Sequence, residues 1–453
     1  MKVLIMNNIT RSISAAAVAL LLAGQALAGA TSAEAAKLGN ELTPTGAEKA
    51  TSPDGLVPAW TGGLGTPPAG YVAGQGYVDP FASEQPLYVI TKANAAKYKE
   101  MLTPGALALL NKYDTFKMPV YPSHRTAALP KNITAKVKEQ APKVESKGFG
   151  LSNTEGTTTP FPFPKTGLEV IWNHNLRYLG GGIERTYSSF PVRVNGDSYA
   201  IKVVERRIFA QNMDAPEPNR LLYFTATTVA PAAMVGSMTL VHEPLDQVKE
   251  VRSAWVYNAG QRRVRRAPDL AYDSVTDDTE GMRYVDQYDA FNGAPDRFDF
   301  KLVGKAEMIV PYNDYKLLDK SVPYSAITKA GSPNPDLMRY EVHRVWVVDA
   351  VLKPGQKHSF SRRTFYVDED SWSVLWEDAY DARGGLWRIG VHPVVQYYDA
   401  DVMWYSANIW HDLSNASYFI SSLGTHEPQW KFNVKGRLAD FEPDAMRRSG
   451  ANQ

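Results

Sequence analysis

The sequence predicts a mainly β protein built on a large antiparallel sheet that tends to curl, preceded by an irregular N-terminal extension. Three observations predict it. Beyond residue 167 the apolar positions repeat with a period of two. Tight polar turns join one such run to the next, which places neighbours in sequence side by side as antiparallel strands. Between most of the runs no helix is long enough for the crossover that parallel pairing needs.

The chain divides into three segments. Residues 1–28 read as a signal peptide, removed from the mature protein. Lys2 and Arg11 give a positive start, Ile13 to Leu22 is a short uncharged apolar run, and Ala26-Leu27-Ala28 has the small-x-small pattern of a cleavage site. A second such site, Ala33-Glu34-Ala35, lies a few residues on. The apolar run is too short for the roughly 20 residues that span a bilayer. The expectation is therefore a soluble periplasmic protein. With no cysteine in the chain it has neither a lipid anchor nor a disulfide, although its compartment would permit one.

Residues 29–165 read as an irregular extension. Pro58, Gly62, Gly63, Gly65, Pro67, Pro68, Gly70, Gly74, Gly76, Pro80 and Pro86 forbid long helices and central strands there. One helical pair interrupts it. The first helix is expected over Lys92–Leu102 with Thr91 as its cap, and the second from Thr103 as cap, Pro104 at its first position, to about Tyr113. Lys- and Glu-rich residues 131–147 and the polar stretch Ser152 to Pro160 read as a surface excursion.

Residues 166–453 read as the antiparallel sheet domain. Leu168 to Tyr178 is taken as its first strand. Tyr199–Glu205, Arg220–Val229, Met238–Glu243 and Val251–Tyr257 follow. The turn at Asn258-Ala259-Gly260 leads to the return strand Gln261–Arg266. Later runs are Tyr340–Leu352, His358–Val367, Ser371–Tyr380 and Leu386–Tyr397. Their turns are Pro354-Gly355, Asp368-Glu369-Asp370 and Asp381-Ala382-Arg383-Gly384. Trp372, Val374, Trp376 and Tyr380 share one strand face. A curled sheet with an aromatic concave face could enclose an apolar ligand; an ordinary core closed by helices would use the same residues. Trp255, Tyr257, Trp346, Trp372, Val374, Trp376 and Tyr380 are the cavity candidates.

Charge narrows the functions. The formal net charge is +1, and loss of the two positive residues of the signal peptide turns it to −1. Nucleic-acid binding calls for a strongly basic surface, and none is expected here. Arg262, Arg263, Arg265 and Arg266 put guanidinium groups on both faces of one strand. Such a strand belongs at an edge, where charge blocks sheet-to-sheet aggregation. It could also dock an acidic partner or lipid phosphate. No zinc-protease, nucleophile-elbow or phosphate-loop motif is found. His242-Glu243 runs into Pro244, His343 and His358 lack carboxylates in register for a metal, and Asp368-Glu369-Asp370 reads as a solvated turn. No catalytic residue, metal site or cofactor is assigned.

Ser253-Ala254-Trp255-Val256-Tyr257-Asn258-Ala259-Gly260-Gln261-Arg262-Arg263-Val264-Arg265-Arg266, with Asp269-Leu270-Ala271-Tyr272-Asp273 after it, resembles the central hairpin of LolA-like outer-membrane lipoprotein-sorting proteins. Phe365-Tyr366-Val367-Asp368-Glu369-Asp370-Ser371-Trp372 and Tyr380-Asp381-Ala382-Arg383-Gly384-Gly385-Leu386-Trp387 resemble their later hairpin. From about Ala36 to about Tyr418 the chain is similar to a larger periplasmic family of unknown function in Gram-negative bacteria. The motifs Pro58-Ala59-Trp60-Thr61-Gly62-Gly63-Leu64, Tyr121-Pro122-Ser123-His124-Arg125, Gly167-Leu168-Glu169-Val170-Ile171-Trp172-Asn173-His174 and Asn292-Gly293-Ala294-Pro295-Asp296-Arg297 carry that similarity. The resemblance implies a helix-capped half-barrel with an apolar cavity. It implies a carrier of lipids or other hydrophobic molecules, associated with an inner-membrane exporter and an outer-membrane protein. The long extension departs from the small lipoprotein carriers. Two other readings stand beside the carrier: a structural adaptor of an exporter complex, and a hydrolase with an unfamiliar site.

Overall fold

The computed structural model describes residues 27–154 and 156–451. The expected signal peptide falls, apart from Leu27 and Ala28, outside the described residues.

One large open sheet dominates. Its strands are β1 (Gly182–Val192), β2 (Ile201–Phe209), β3 (Arg220–Ala230), β4 (Met238–Pro244), β5 (Ser253–Asn258), β6 (Arg263–Arg266), β7 (Phe298–Pro311), β8 (Tyr340–Leu352), β9 (Arg362–Asp368), β10 (Val374–Tyr380), β11 (Leu386–Val391), β12 (Asn408–Asp412) and β13 (Ser417–Leu423). From one edge the order is β6-β5-β4-β3-β2-β1-β13-β12-β11-β10-β9-β8, with β7 also paired to β8. These pairings are antiparallel, and where strands follow one another directly, from β1 to β6 and from β8 to β11, short connections join them. A parallel bridge, Tyr340 to Val120, brings the extension alongside the sheet.

Turn chemistry sets the register. In the β10–β11 turn the Asp381 carboxylate accepts the backbone N–H groups of Arg383 and Gly385 at 2.9 and 2.8 Å. Gly384 there has φ 79°, a conformation open to a residue without Cβ. In the β5–β6 turn Asn258 accepts the Gln261 N–H at 3.0 Å, and Arg262 takes φ 51°. Arg262 is therefore a turn residue, and the return strand begins at Arg263 rather than Gln261.

Among the described residues six α-helices accompany the sheet: α1 (Ser32–Lys37), α2 (Pro104–Lys112), α3 (Lys131–Gln140), α4 (Gly167–Leu176), α5 (Tyr324–Ile327) and α6 (Pro443–Ala451). Helix α4 corrects the expected strand over Leu168 to Tyr178. Thr166 caps it: the Thr166 hydroxyl accepts the Glu169 N–H, and the Glu169 carboxylate accepts the Thr166 N–H, both at 3.3 Å. Val170, Ile171, Trp172, Asn173 and His174 are all fully buried. A helix buried on every side has no polar stripe, so its apolar run looks like a buried strand. The helix lies against β7 and β8.

The extension is better ordered than its composition suggests. Helix α2 is capped as expected, with the Thr103 hydroxyl accepting the Ala106 N–H at 3.0 Å. The segment before it forms a 3-10 helix, Ala95–Met101, with Asn94 in place of Thr91 at its start. Residues 131–147 lie largely at the surface but are not irregular, since α3 forms there and turns Val137 and Gln140 inward. Ser152 to Pro160 is no surface excursion. Thr154, Thr157, Thr158 and Thr159 are buried, and the Asn173 side chain of α4 pairs with both backbone groups of Phe161 at 2.8 and 2.7 Å. Buried backbone needs such partners.

The Asp368-Glu369-Asp370 turn is likewise buried rather than solvated. The Arg125 guanidinium donates to Asp370 through Nε and Nη2 at 2.8 and 2.7 Å. Arg344 and Lys305 donate to Glu369 at 2.5 and 2.9 Å. Asp368 accepts from the Tyr312 and Ser371 hydroxyls at 3.1 and 2.6 Å. Trp372 follows with φ 60° and donates its indole N–H to the Thr45 carbonyl at 3.2 Å.

Candidate ligand cavity

Strands β1 to β5 and the loop between β6 and β7 surround a cavity of about 520 Å³. Alternation along the strands builds its wall. Val203, Arg207 and Phe209 come from β2, and Leu222, Phe224, Ala226 and Thr228 from β3. These are the same-face positions of each strand. Met238 and Val241 of β4, Tyr257 of β5 and Trp172 of α4 add to them, and Val285 and Phe291 come from the loop. Leu222, Phe224 and Ala226 are only half-buried although they face inward, because the space before them is empty. The volume lies within the usual range of small-molecule sites, roughly 300–1,000 Å³.

The cavity floor is charged. Arg207 donates to Asp289 at 3.2 Å, and Asp289 also accepts from Arg177 and the Trp404 indole, each at 2.8 Å. Burial opposes charge on Asp289, but Arg177 and Arg207 outweigh it and hold its carboxyl below the ordinary range. Asp289 and Ala290 both take φ values near 60° (57° and 68°), which turns the chain so that Asp289 points into the floor. Behind it Arg185 donates to Glu205 at 2.8 Å, and the Tyr288 hydroxyl is bonded to the same carboxylate. Beside the cavity His174 of α4 is fully buried, and that burial pushes its pKa down to about 3. Its Nε2 stands 2.9 Å from the Asp289 carbonyl, and its Nδ1 lies 3.1 Å from the Trp372 carbonyl and 3.2 Å from the Val374 N–H.

The structure scatters the expected cavity residues. Tyr257 lines the large cavity. Trp372 lines a smaller pocket of about 260 Å³ between the extension and the acidic turn. Trp346 stacks near Trp372, ring centres 6.3 Å apart, under the Lys305 ammonium. Val374 and Trp376 are fully buried, and the Trp376 indole donates to Asp378 at 3.0 Å. Tyr380 lies beneath the Arg362 guanidinium, and Trp255 packs against His242. Of these, Trp255, Trp346, Val374, Trp376 and Tyr380 line neither pocket. The residues the sequence reading passed over are those of β2 and β3. Their signal was the alternation Leu222-Phe224-Ala226, whose small third member leaves room.

The four arginines of the β5–β6 hairpin are exposed, and β6 is the edge of the sheet. His343, Asp368 and Asp370 bring ligand atoms within 4.8 Å of one another. The charge of that turn is already matched by Arg125, Arg344 and Lys305, so the cluster is an ion-pair network joining the extension to the sheet.

Fold and cavity together define a large, mainly β-sheet protein with a ligand-sized pocket whose wall is part apolar and part charged. The chain belongs to the DUF1329 family of proteins of unknown function, whose signature spans residues 89–447. It is 47% identical over 439 residues to the uncharacterized protein PA3922 of Pseudomonas aeruginosa, covering 95% of this chain and 96% of that one. Among solved structures it is similar to a domain from Vibrio parahaemolyticus provisionally assigned as an outer membrane lipoprotein-sorting protein, with 12% identity and a TM-score of 0.45. That match covers 63% of this chain and 99% of that domain. It is also similar to a DUF1329 family protein from Desulfovibrio piger, with 13% identity and a TM-score of 0.44, covering 62% of this chain and 97% of that one. No helix among the described residues is long and apolar enough to cross a membrane.

Proposed function

We propose that this protein is a periplasmic binding or carrier protein for a hydrophobic molecule, a lipid or lipid-like compound, serving an envelope transport system. The cavity between β1 and β5 carries the reading. Small-molecule sites are concave, largely preformed spaces of roughly 300–1,000 Å³ walled mainly by apolar side chains. A space of about 520 Å³ walled by Leu222, Phe224, Met238 and Phe291 is therefore best understood as room for a guest. In this reading the open sheet is a half-barrel wrapped around α4, and residues 29–165 brace its other end. Processing after Ala28 releases the chain into the periplasm. The exposed arginines of the β5–β6 hairpin are the surface for an inner-membrane exporter or an outer-membrane protein. The protein performs no catalysis of its own.

Native mass spectrometry of mature protein purified from its own host, followed by lipid extraction, tests the proposal. The expected result is a co-purifying hydrophobic species and a rise in melting temperature on adding it back, since a ligand that binds only the folded state must stabilise it. Protein that emerges empty, with no thermal shift across a lipid panel, overturns the carrier reading in favour of the adaptor.

A further inference from the structure

Beneath the apolar wall buried arginines gather around few buried carboxylates, while the lining itself carries Arg207, Arg252 and Arg283 with Glu243, Asp278 and Asp289. Arg177, Arg185, Arg207 and Arg283 are each at most 9% exposed at the side chain. The carboxylates buried among them are two, Glu205 and Asp289. Glu205 and Asp289 are engaged by Arg185, Arg207 and Arg177. Arg283 is left with Asp278, whose side chain is 30% exposed and stands 3.8 Å away, beyond hydrogen-bond distance. The Arg283 Nε is buried without a hydrogen-bond partner. Its guanidinium is held instead among the rings of Tyr288, Trp410 and Phe419, at 5.0, 5.5 and 5.6 Å. The Arg207 guanidinium lies 5.2 Å from the same Tyr288 ring, and both arginines line the cavity. A buried cation whose counter-charge stands beyond hydrogen-bond distance and partly in solvent is costly, and a bound anion would lower that cost.

We infer that the cavity's ligand is an anionic amphiphile of one chain or one compact ring system, whose acidic head meets Arg283 and Arg207 while its apolar body lies along Leu222, Phe224 and Met238. The inference rests on the hydrophobic-ligand reading and sharpens it. A planar guanidinium with free donors suits a carboxylate, sulfate or phosphate head. The volume suits a single chain better than a two-chain phospholipid.

Calorimetric titration of the mature chain with lauric acid and with lauryl alcohol is the test. The acid is expected to bind on the order of tenfold more tightly or better, the scale of a charge-assisted hydrogen bond. Arg283→Leu should erase that advantage while leaving alcohol binding in place, and Arg283→Lys should keep part of it. If Arg283→Leu fails to fold, the ratio of acid to alcohol in the unaltered chain still decides. Equal affinity for the two overturns the anionic head and leaves the hydrophobic-ligand reading standing. Binding of neither sinks both. Displacement of lauric acid by millimolar inorganic phosphate, with no binding of the alcohol, would make the floor a site for a free anion and overturn the amphiphile.

Discussion

Arg125 and Asp370, 245 positions apart, form a buried two-point ion pair, with both side chains at most 3% exposed. It fastens the N-terminal extension to the β9–β10 turn, and Arg125 also reaches the Lys49 and Pro58 carbonyls at 3.4 and 3.3 Å. Removing one partner of such a pair strands the other in a medium that cannot solvate it. Arg125→Ala should therefore cost roughly 3–5 kcal/mol in denaturant unfolding. Arg125→Lys should recover little of it, because an ammonium cannot make the two-point contact. A loss within experimental error would show that the extension is held by other contacts.

Asp378 of β10 gives the protein a pH dependence. Burial raises its pKa to about 7, although the Gly105 N–H of α2 and the Trp376 indole favour the charged form. A carboxyl with a raised folded-state pKa stabilises the fold fully below its unfolded value near 4, and that contribution is lost as pH rises through 7. Asp378→Asn imitates the protonated acid. The variant should melt several degrees above the parent at pH 8 and match it at pH 4. A variant less stable at pH 8 would mean that the carboxylate is the form the fold prefers.

Gly105 is needed for the same contact. A Cβ added there would stand 2.1 Å from the Asp378 Oδ1 and 2.9 Å from the Trp376 Nε1, both deeply buried. Alanine in a helix ordinarily gains about 1 kcal/mol over glycine. Here overpacking should win, and Gly105→Ala should be destabilised by roughly 1–3 kcal/mol in thermal or chemical melts. The double variant Gly105→Ala with Asp378→Ala should recover part of the loss.

Filling the cavity should block it without harming the fold. Ala226 of β3 faces the empty space. Ala226→Phe is expected to leave the melting temperature unchanged or slightly raised and to abolish the thermal shift that a bound lipid produces. A strongly destabilised Ala226→Phe would show that the space is smaller in solution than about 520 Å³.

The hairpin arginines separate docking from stability. Arg262, Arg263, Arg265 and Arg266 are exposed on an edge strand. Exchanging all four for Gln should change stability by about 0.5 kcal/mol or less. Co-sedimentation with envelope membranes should weaken if they dock a partner. Unchanged association would confine them to guarding the edge.

By itself the sequence determined the class of fold, because alternation and turn residues act locally. The period of two across Trp255 and Tyr257, and the Asx chemistry of Asp381, need no knowledge of distant chain. Local too was the cap of α2 at Thr103. The sequence also carried the cap of α4, in the Thr166-x-x-Glu169 spacing, but a helix buried on all sides offered no amphipathic stripe to set against a strand. What only the tertiary structure decided is what each face meets. Trp372, Trp376 and Asp378 lie within seven residues, yet one meets Thr45 and the other two meet Gly105. The acidic turn could be called solvated only while Arg125, Arg344 and Lys305 were out of sight. The cavity, likewise, is a property of how β1 to β5 curve past the loop before β7. An empty volume belongs to no residue, so no stretch of chain announces it.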